Sequence, residues 1–423
     1  MCGIVGYIGK HQAAPIILEG LAKLEYRGYD STGMAVFDGK KINIQKAAGR
    51  LQVLENMTRG GETMPGCVGI GHTRWATHGK PTDINAHPHD NQDGTIAVVH
   101  NGIIENYQQL KQRLINRGYK FVSDTDTEVL VQLIDYYYKG NPLEAITKVL
   151  HRVEGSYALG ILFADHPEEI FAVRKDCPLI VGTSSEGSFI ASDVPAILKY
   201  TREVYYIDNQ EVVALKENEI HFYTVDEEEI QKTPSHVDWD AEAVAKGGYE
   251  HFMLKEIYDQ PRAVRETFEK HMKDGNVEIE ELRMTDEEIR KLSRIHIVAC
   301  GTAYHAGMTA KYVIESMARI SVEVDMASEF RYRNPIIEEG ALVISQSGET
   351  ADTLQALRDS KARGAKVLGI VNVVGSSIAR EADSVMYTWA GPEIAVASTK
   401  AYSAQLIALY LLAMKFARVK GTI

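Results

Sequence analysis

The stretch Met1-Cys2-Gly3-Ile4-Val5-Gly6-Tyr7-Ile8-Gly9 constrains this chain more than any other. Its apolar run from Ile4 to Ile8 predicts a buried strand, which would hold the terminus in a core although chain ends are usually frayed. Cys2 follows the initiator directly, so removal of Met1 leaves one residue carrying both a thiol and a free α-amine. An α-amine titrates at roughly 8 and a thiol at roughly 8.5. Near neutrality the amine can therefore take the thiol proton, directly or through a water, and no separate histidine base is needed. The competing reading is a cysteine that happens to stand second on an ordinary edge strand.

A chain of 423 residues is too long for one core, and two or three domains are expected. A net charge of −12 argues against nucleic acid or an anionic membrane as the main partner. Cys2, Cys67, Cys177 and Cys300 lie far apart without a CxxC pair. Neither a disulfide framework nor a zinc knuckle is suggested, and a cytoplasmic setting fits. The opening residues do not read as a signal peptide. The greasiest run, Leu406 to Ala413, is too short to span a bilayer and reads as a buried helix.

Residues 1 to about 225 lack a regular strand-helix rhythm. Helical spacing appears at 13–24, 106–117 and 128–138, and strands are predicted at 34–37, 42–45, 68–72, 96–100, 156–163, 170–173, 179–182 and 189–192. Many strands with few helices predict antiparallel sheets flanked by helices. From Asp226 to Gly248 the composition is that of a linker. Beyond Arg294 the rhythm is regular: strand 295–299, helix 306–318, strands 322–325 and 341–344, helix 351–363, strand 366–371. This pattern predicts a doubly wound α/β unit with a parallel sheet.

Two sets of residues carry candidate chemistry. The first is His72-Thr73-Arg74-Trp75-Ala76-Thr77-His78-Gly79 with His100-Asn101-Gly102 and Asp124 to Glu128. An arginine can grip an α-carboxylate in bidentate fashion and an aspartate can pair with an α-ammonium, so Arg74 and Asp126 together would read the backbone end of an amino acid. The Asn101 amide and the Gly102 N–H could donate to an oxyanion if they face Cys2. Read singly, Arg74 and Asp126 are surface ion-pair residues. His72, His78, His87, His89 and His100 lack metal-ligand spacing and are expected to be structural or positioning groups. The second set is Ser345-Gln346-Ser347-Gly348-Glu349-Thr350, between a strand and a helix. Its hydroxyls and helix-terminal N–H groups suit a phosphate, or else form only a helix cap; with a bound anion, Glu349 must point away. Cys300-Gly301-Thr302-Ala303 occupies the equivalent place after the neighbouring strand, and both loops should reach the carboxyl edge of the sheet.

Five ordered motifs, Cys2 to Gly9, Leu24 to Ser31, His72 to Gly79, His100 to Tyr107 and Thr125 to Glu128, resemble the glutaminase domain of the glutamine:fructose-6-phosphate aminotransferase family. The resemblance implies an α+β N-terminal-nucleophile (αββα) glutaminase domain at 2–225, a linker at 226–250 and a first sugar isomerase (SIS) domain, an α/β doubly wound parallel-sheet unit, at 251–423. It implies that Cys2 attacks the glutamine side-chain amide, with Asn101 and Gly102 as the oxyanion hole. Arg74 and Asp126 would hold the amino-acid end, Thr77 and His78 would line the pocket, Trp75 would gate ammonia, and Arg27 would lie on a loop near the nucleophile. Ser345 to Thr353 and Val396 to Lys400 match the family's sugar isomerase domain, implying sugar-phosphate contacts from Thr302, Ser345, Gln346, Ser347, Thr350, Val396 and Ser398. Ala303 stands where the family commonly has serine. No metal or cofactor is implied. The implied substrates are glutamine and fructose 6-phosphate, without nucleic acid or membrane, and the implied assembly is a homodimer.

In the family a second sugar isomerase half follows, bringing the groups that open and isomerise the sugar, whereas this sequence ends at Ile423. The expectation is glutamine hydrolysis and sugar-phosphate binding with little amino-sugar synthesis. The alternative is a glutaminase tied to a non-catalytic sugar-phosphate sensor.

Overall fold

The computed structural model describes residues 2–25, 28–76, 79–237, 246–337 and 339–423. The chain divides into two compact units, residues 1–241 and 242–423.

In the first unit two antiparallel sheets lie face to face. The first has eight strands in the spatial order Ser235–His236, Glu203–Tyr206, Ile180–Ser184, Gly187–Ala191, Gly3–Gly9, Val68–Arg74, Ser31–Phe37 and Ile42–Ala48. The second has seven: Glu229–Ile230, Ile220–Tyr223, Val212–Leu215, Ile170–Lys175, Gly155–Phe163, Ile96–Ile104 and His89–Asp90. Strand Gly3–Gly9 is therefore interior, paired on both sides, and the edge-strand reading does not hold.

Period-two alternation builds the layers. Ile4, Ile8 and Ile70 of the first sheet meet Ala97, Val99, Ala158 and Leu162 of the second in one core. The intervening residues of the second sheet, Ile96, Val98, Leu159 and Ile161, pack with helices Tyr107–Ile115, Asp126–Tyr137 and Pro142–Leu150. Helix Ala13–Ala22 covers the outer face of the first sheet. It comes close because Gly69 and Gly71 carry no side chain: a Cβ on Gly71 would lie 2.3 Å from Ile17 Cγ2. The order helix, sheet, sheet, helix is the αββα architecture expected.

The second unit has a five-stranded parallel sheet in the order Ser321–Met326, Arg294–Ala299, Gly340–Ser345, Lys366–Val371 and Ser384–Tyr387. Ile295, Ile297 and Ala299 face the core under helices Gly301–Ala318 and Lys400–Lys420. Val298, Val343 and Val367 face the opposite core, under Ala327–Arg333 and Ala351–Ala362. A strand covered on both faces is continuously apolar, which is why this half was legible.

Three differences from the sequence reading stand out. Helices Leu51–Thr58, Pro142–Leu150 and Phe252–Lys270 were not anticipated. The last buries little besides Glu256, Ala263 and Thr267 and leaves Met253, Leu254, Ile257, Tyr258 and Phe268 exposed, so burial does not mark it out. The linker reading of 226–250 is corrected at its start, where Glu229–Ile230 and Ser235–His236 extend the two sheets. The helix expected from Ala306 starts at Gly301, which puts Thr302 and Ala303 in its first turn.

Candidate active site

Alternation along strand Ile96–Ile104 aims its last residues. His100 follows Ile96 and Val98 toward helix Asp126–Tyr137, where its Nδ1 lies 2.9 Å from Thr127 Oγ1. Asn101 follows Ala97 and Val99 toward the first sheet. There its Nδ2 donates to the Cys2 carbonyl oxygen (3.1 Å) and its Oδ1 lies 2.9 Å from His72 Nε2. Gly102 has φ +126°, and a Cβ there would sit 2.1 Å from Ser156 O; only glycine fits.

The Cys2 Sγ accepts from the Trp75 N–H at 3.2 Å. The chain beside it is fixed from both flanks: Ile4 N–H donates to Ser192 Oγ (3.0 Å), and Asp30 N–H to Arg74 O (3.1 Å). The Asp30 carboxylate accepts from Ser31 Oγ and the Ala76 N–H. Burial pushes the Cys2 thiol up from its ordinary value, against the Trp75 N–H and the Arg74 charge. A raised thiol is protonated at neutral pH, so attack requires a base.

Arg74 and Asp126 are each only 4% exposed, which removes the surface ion-pair reading. Burial lowers the Arg74 pKa, while the charges of Asp30, Cys2 and Asp126 support its protonated form. Asp126 sits in the first turn of its helix, which Thr125 caps by accepting the Glu128 N–H. One of its carboxylate oxygens accepts the Ile104 N–H at 2.8 Å, which ties this helix to the strand that carries Asn101. Trp75 is 47% exposed and meets Tyr29 edge-on at 5.2 Å. Arg27, Thr77 and His78 lie outside the described residues.

The buried histidines form a stack, not a ligand set. His72 lies on His87 at 4.3 Å, and His87 on His100 at 6.4 Å. Burial holds His72 down at about 3 and His87 and His89 well below their usual value. Among the described residues, one group of side chains has metal-ligand spacing: His296, Glu323 and Asp325. The Arg333 guanidinium already pairs with both carboxylates, which accounts for the cluster as an ion pair.

In the second unit the Ser345–Thr350 loop follows a core strand at the carboxyl edge, as expected. Ser345 Oγ lies 2.9 Å from Thr350 Oγ1 and accepts the Gly348 N–H (3.0 Å), while Ser347 Oγ accepts the Glu349 N–H (3.2 Å). The hydroxyls thus hold the loop's own shape. Thr350 makes no side-chain cap to helix Ala351–Ala362, so the simple cap reading fails. Glu349 points away from the turn, accepting from Ser377 N–H (2.7 Å) and Ser377 Oγ (2.8 Å). Strand register puts Thr302 beside this loop, since Ala299 pairs with Ile344. Val396 is 81% exposed, and Ser398 Oγ donates to Glu393 (2.9 Å), whose carboxylate also takes the Thr399 and Ala401 N–H groups.

Sequence reasoning missed the supports. Asp30 stood inside a quoted motif without a role, and extending the alternation of Ile96–Val99 by two residues would have separated His100 from Asn101. Glu256, whose carboxylate accepts the Ile394 N–H (2.6 Å) and Ala395 N–H (3.1 Å), left no local signal.

Fold and site together define a class of protein: an N-terminal-nucleophile amidotransferase domain followed by a SIS domain. Family models agree, with a glutamine amidotransferase domain matching residues 72–199 and a SIS domain matching residues 288–415. The chain is 58% identical over 426 residues to a glutamine–fructose-6-phosphate aminotransferase [isomerizing] of Clostridium acetobutylicum, and 60% identical over 425 residues to that of Caldanaerobacter subterraneus subsp. tengcongensis. Each alignment covers 100% of this chain and 70% of the relative. A solved C-terminal domain of glucosamine-fructose-6-phosphate aminotransferase from Francisella tularensis is 46% identical, covering 42% of this chain and 51% of that one at a TM-score of 0.41. The chain belongs to the glutamine–fructose-6-phosphate aminotransferase [isomerizing] family.

Proposed function

We propose that the first unit hydrolyses glutamine and that the ammonia serves amino transfer to fructose 6-phosphate, bound by the second unit, giving glucosamine 6-phosphate and glutamate. The observation that carries it is the convergence on Cys2: the Trp75 N–H on its sulfur, the Asn101 amide on its carbonyl, and Arg74 within reach of its charge.

After loss of Met1, the Cys2 amine takes the thiol proton and the sulfur attacks the glutamine amide carbon. Asn101 and Gly102 hold the oxyanion, Arg74 binds the α-carboxylate, and Asp126 uses its second oxygen for the α-ammonium. The amine returns the proton as the C–N bond breaks, releasing ammonia and leaving a γ-glutamyl thioester. Water then cleaves the thioester to glutamate. Thr77, His78 and Arg27 complete the glutamine pocket, and Trp75 gates ammonia. In the second unit, Thr302, Ser345, Gln346, Ser347 and Thr350 take the sugar phosphate, with Val396 and Ser398 bordering the sugar.

The reading includes a homodimer and a cytoplasmic enzyme. No helix among the described residues is long and apolar enough to cross a membrane. Glutamate release is measured with and without fructose 6-phosphate, and the products are searched for amino sugar. Sugar-stimulated release with amino sugar supports transfer. Amino sugar among the products removes the sensor reading, and no release from glutamine overturns both.

A further inference from the structure

The Cys2 carbonyl oxygen can only accept, so the Asn101 nitrogen must face it and Oδ1 must face His72. An amide oxygen also only accepts, which places a proton on His72 Nε2. His72 is 0% exposed, and its ring lies on His87 with an 18° interplanar angle. His87 is fixed in turn: its Nδ1 accepts the His100 N–H (3.2 Å), so its proton is on Nε2, which donates to Thr127 Oγ1 (3.3 Å). The Thr127 hydroxyl proton then goes to His100 Nδ1 (2.9 Å). Thr127 follows Asp126, so the stack is wedged between the candidate oxyanion donor and the candidate ammonium reader.

We propose that His72 is a positioning residue for glutamine hydrolysis, locking the Asn101 amide through its Nε2–H so that the second N–H of that amide is preset for the oxyanion. The inference rests on the glutaminase reading above. An amide turned over would present its oxygen to the developing negative charge. An unanchored amide would have to be ordered during the reaction, and preorganisation is what makes such donors effective.

A double-mutant cycle in the full chain tests it, using His72→Phe and Asn101→Ala. Asn101→Ala is expected to lower kcat for glutamine by about 10²–10³. His72→Phe is expected to lower kcat at least tenfold with KM within twofold, and to cost less than twofold more in the Asn101→Ala background. His72→Gln, which keeps a donor, should restore most of kcat. Alkylation of Cys2 by iodoacetamide, followed by peptide mass, needs no oxyanion and should stay within twofold of the wild type in His72→Phe and His72→Gln. Additive losses, or alkylation falling in parallel with kcat, would overturn the positioning role. An unchanged kcat in Asn101→Ala would instead overturn the glutaminase reading of the oxyanion site. Should the phenylalanine variant not fold, imidazole nitrogen spectra of the wild type decide: the His72 proton must reside on Nε2, and an Nδ1–H tautomer overturns the proposal.

Discussion

The Asn101 side chain donates to the Cys2 carbonyl oxygen at 3.1 Å, joining the first strand of one sheet to the strand Ile96–Ile104 of the other. The candidate nucleophile is thus held from across the gap between the sheets, so its neighbours have predictable and separable effects.

The first prediction concerns the terminus. Burial raises the Cys2 thiol, and the free amine is the base that the mechanism assigns to it. Intact mass should lack Met1, and an electrophilic glutamine analogue should label Cys2. Retained Met1 with full glutaminase activity would remove the amine from the mechanism.

Arg74 should affect recognition more than chemistry. Arg74→Ala is expected to raise the glutamine KM by about 10- to 100-fold, the worth of a hydrogen-bonded charge partner, with a much smaller fall in kcat, as loss of uniform binding does. Arg74→Lys keeps the charge without the fork and should fall between. An unchanged KM in both would take Arg74 out of the pocket.

Gly102 carries a backbone requirement. At φ +126°, with Ser156 O at 2.1 Å from a built Cβ, Gly102→Ala must move the strand Gly155–Phe163 or lose the conformation. A cost of about 1–3 kcal/mol in stability is expected, with loss of glutamine hydrolysis. Thermal unfolding of the first unit and the glutaminase assay read the two effects. A stable, fully active alanine variant would mean that the Gly102 N–H is not part of the oxyanion site.

Much of this was legible because it is periodic. The inner parallel strands Gly340–Ser345 and Lys366–Val371 are apolar on both faces, and the antiparallel strands alternate, so element types and the two-unit division emerged from residue order. Buried charge was the weak point. Arg74 and Asp126 look like surface residues when read singly, and the groups that meet their charges, Asp30 and the Ile104 N–H, are distant in sequence. The Ser345–Thr350 loop lies between a strand and a helix as the residue order indicates, but only the fold reveals that Ser345 and Ser347 bond within the loop and that Glu349 turns to Ser377.

Acid should weaken the first unit in a defined window. His72, held down to about 3, and His87 and His89, held well below normal, are neutral when folded, whereas in the unfolded chain they titrate near 6.5. The unfolded state therefore binds more protons as pH falls. The stability these groups allow is fully present above about 6.5 and is lost progressively as pH falls below it, for His72 toward about 3. Each contributes about 1.4 kcal/mol per pH unit inside that window. Urea unfolding of the first unit between pH 7.5 and 5 should show it, and His89→Gln should shallow the slope by about one histidine's share. An unchanged slope would mean that His89 titrates alike folded and unfolded.

The last prediction concerns the sugar loop. Ser347 Oγ accepts the Glu349 N–H, so the hydroxyl both shapes the turn and offers its own proton to an anion. Glu349 is neutralised as a competitor by its bonds to Ser377. Calorimetric titration with fructose 6-phosphate should therefore show Ser347→Ala weaker by about 1.5–3 kcal/mol, the range for a hydrogen bond to a charged partner. Ser377→Ala removes one of the bonds that hold Glu349 aside and should weaken binding without touching the loop's hydroxyls. If Ser347→Ala binds as the wild type does, the turn only shapes its own backbone and the phosphate is held elsewhere. If Ser377→Ala alone is silent, the phosphate site stands, but the turning away of Glu349 does not depend on the Ser377 hydroxyl.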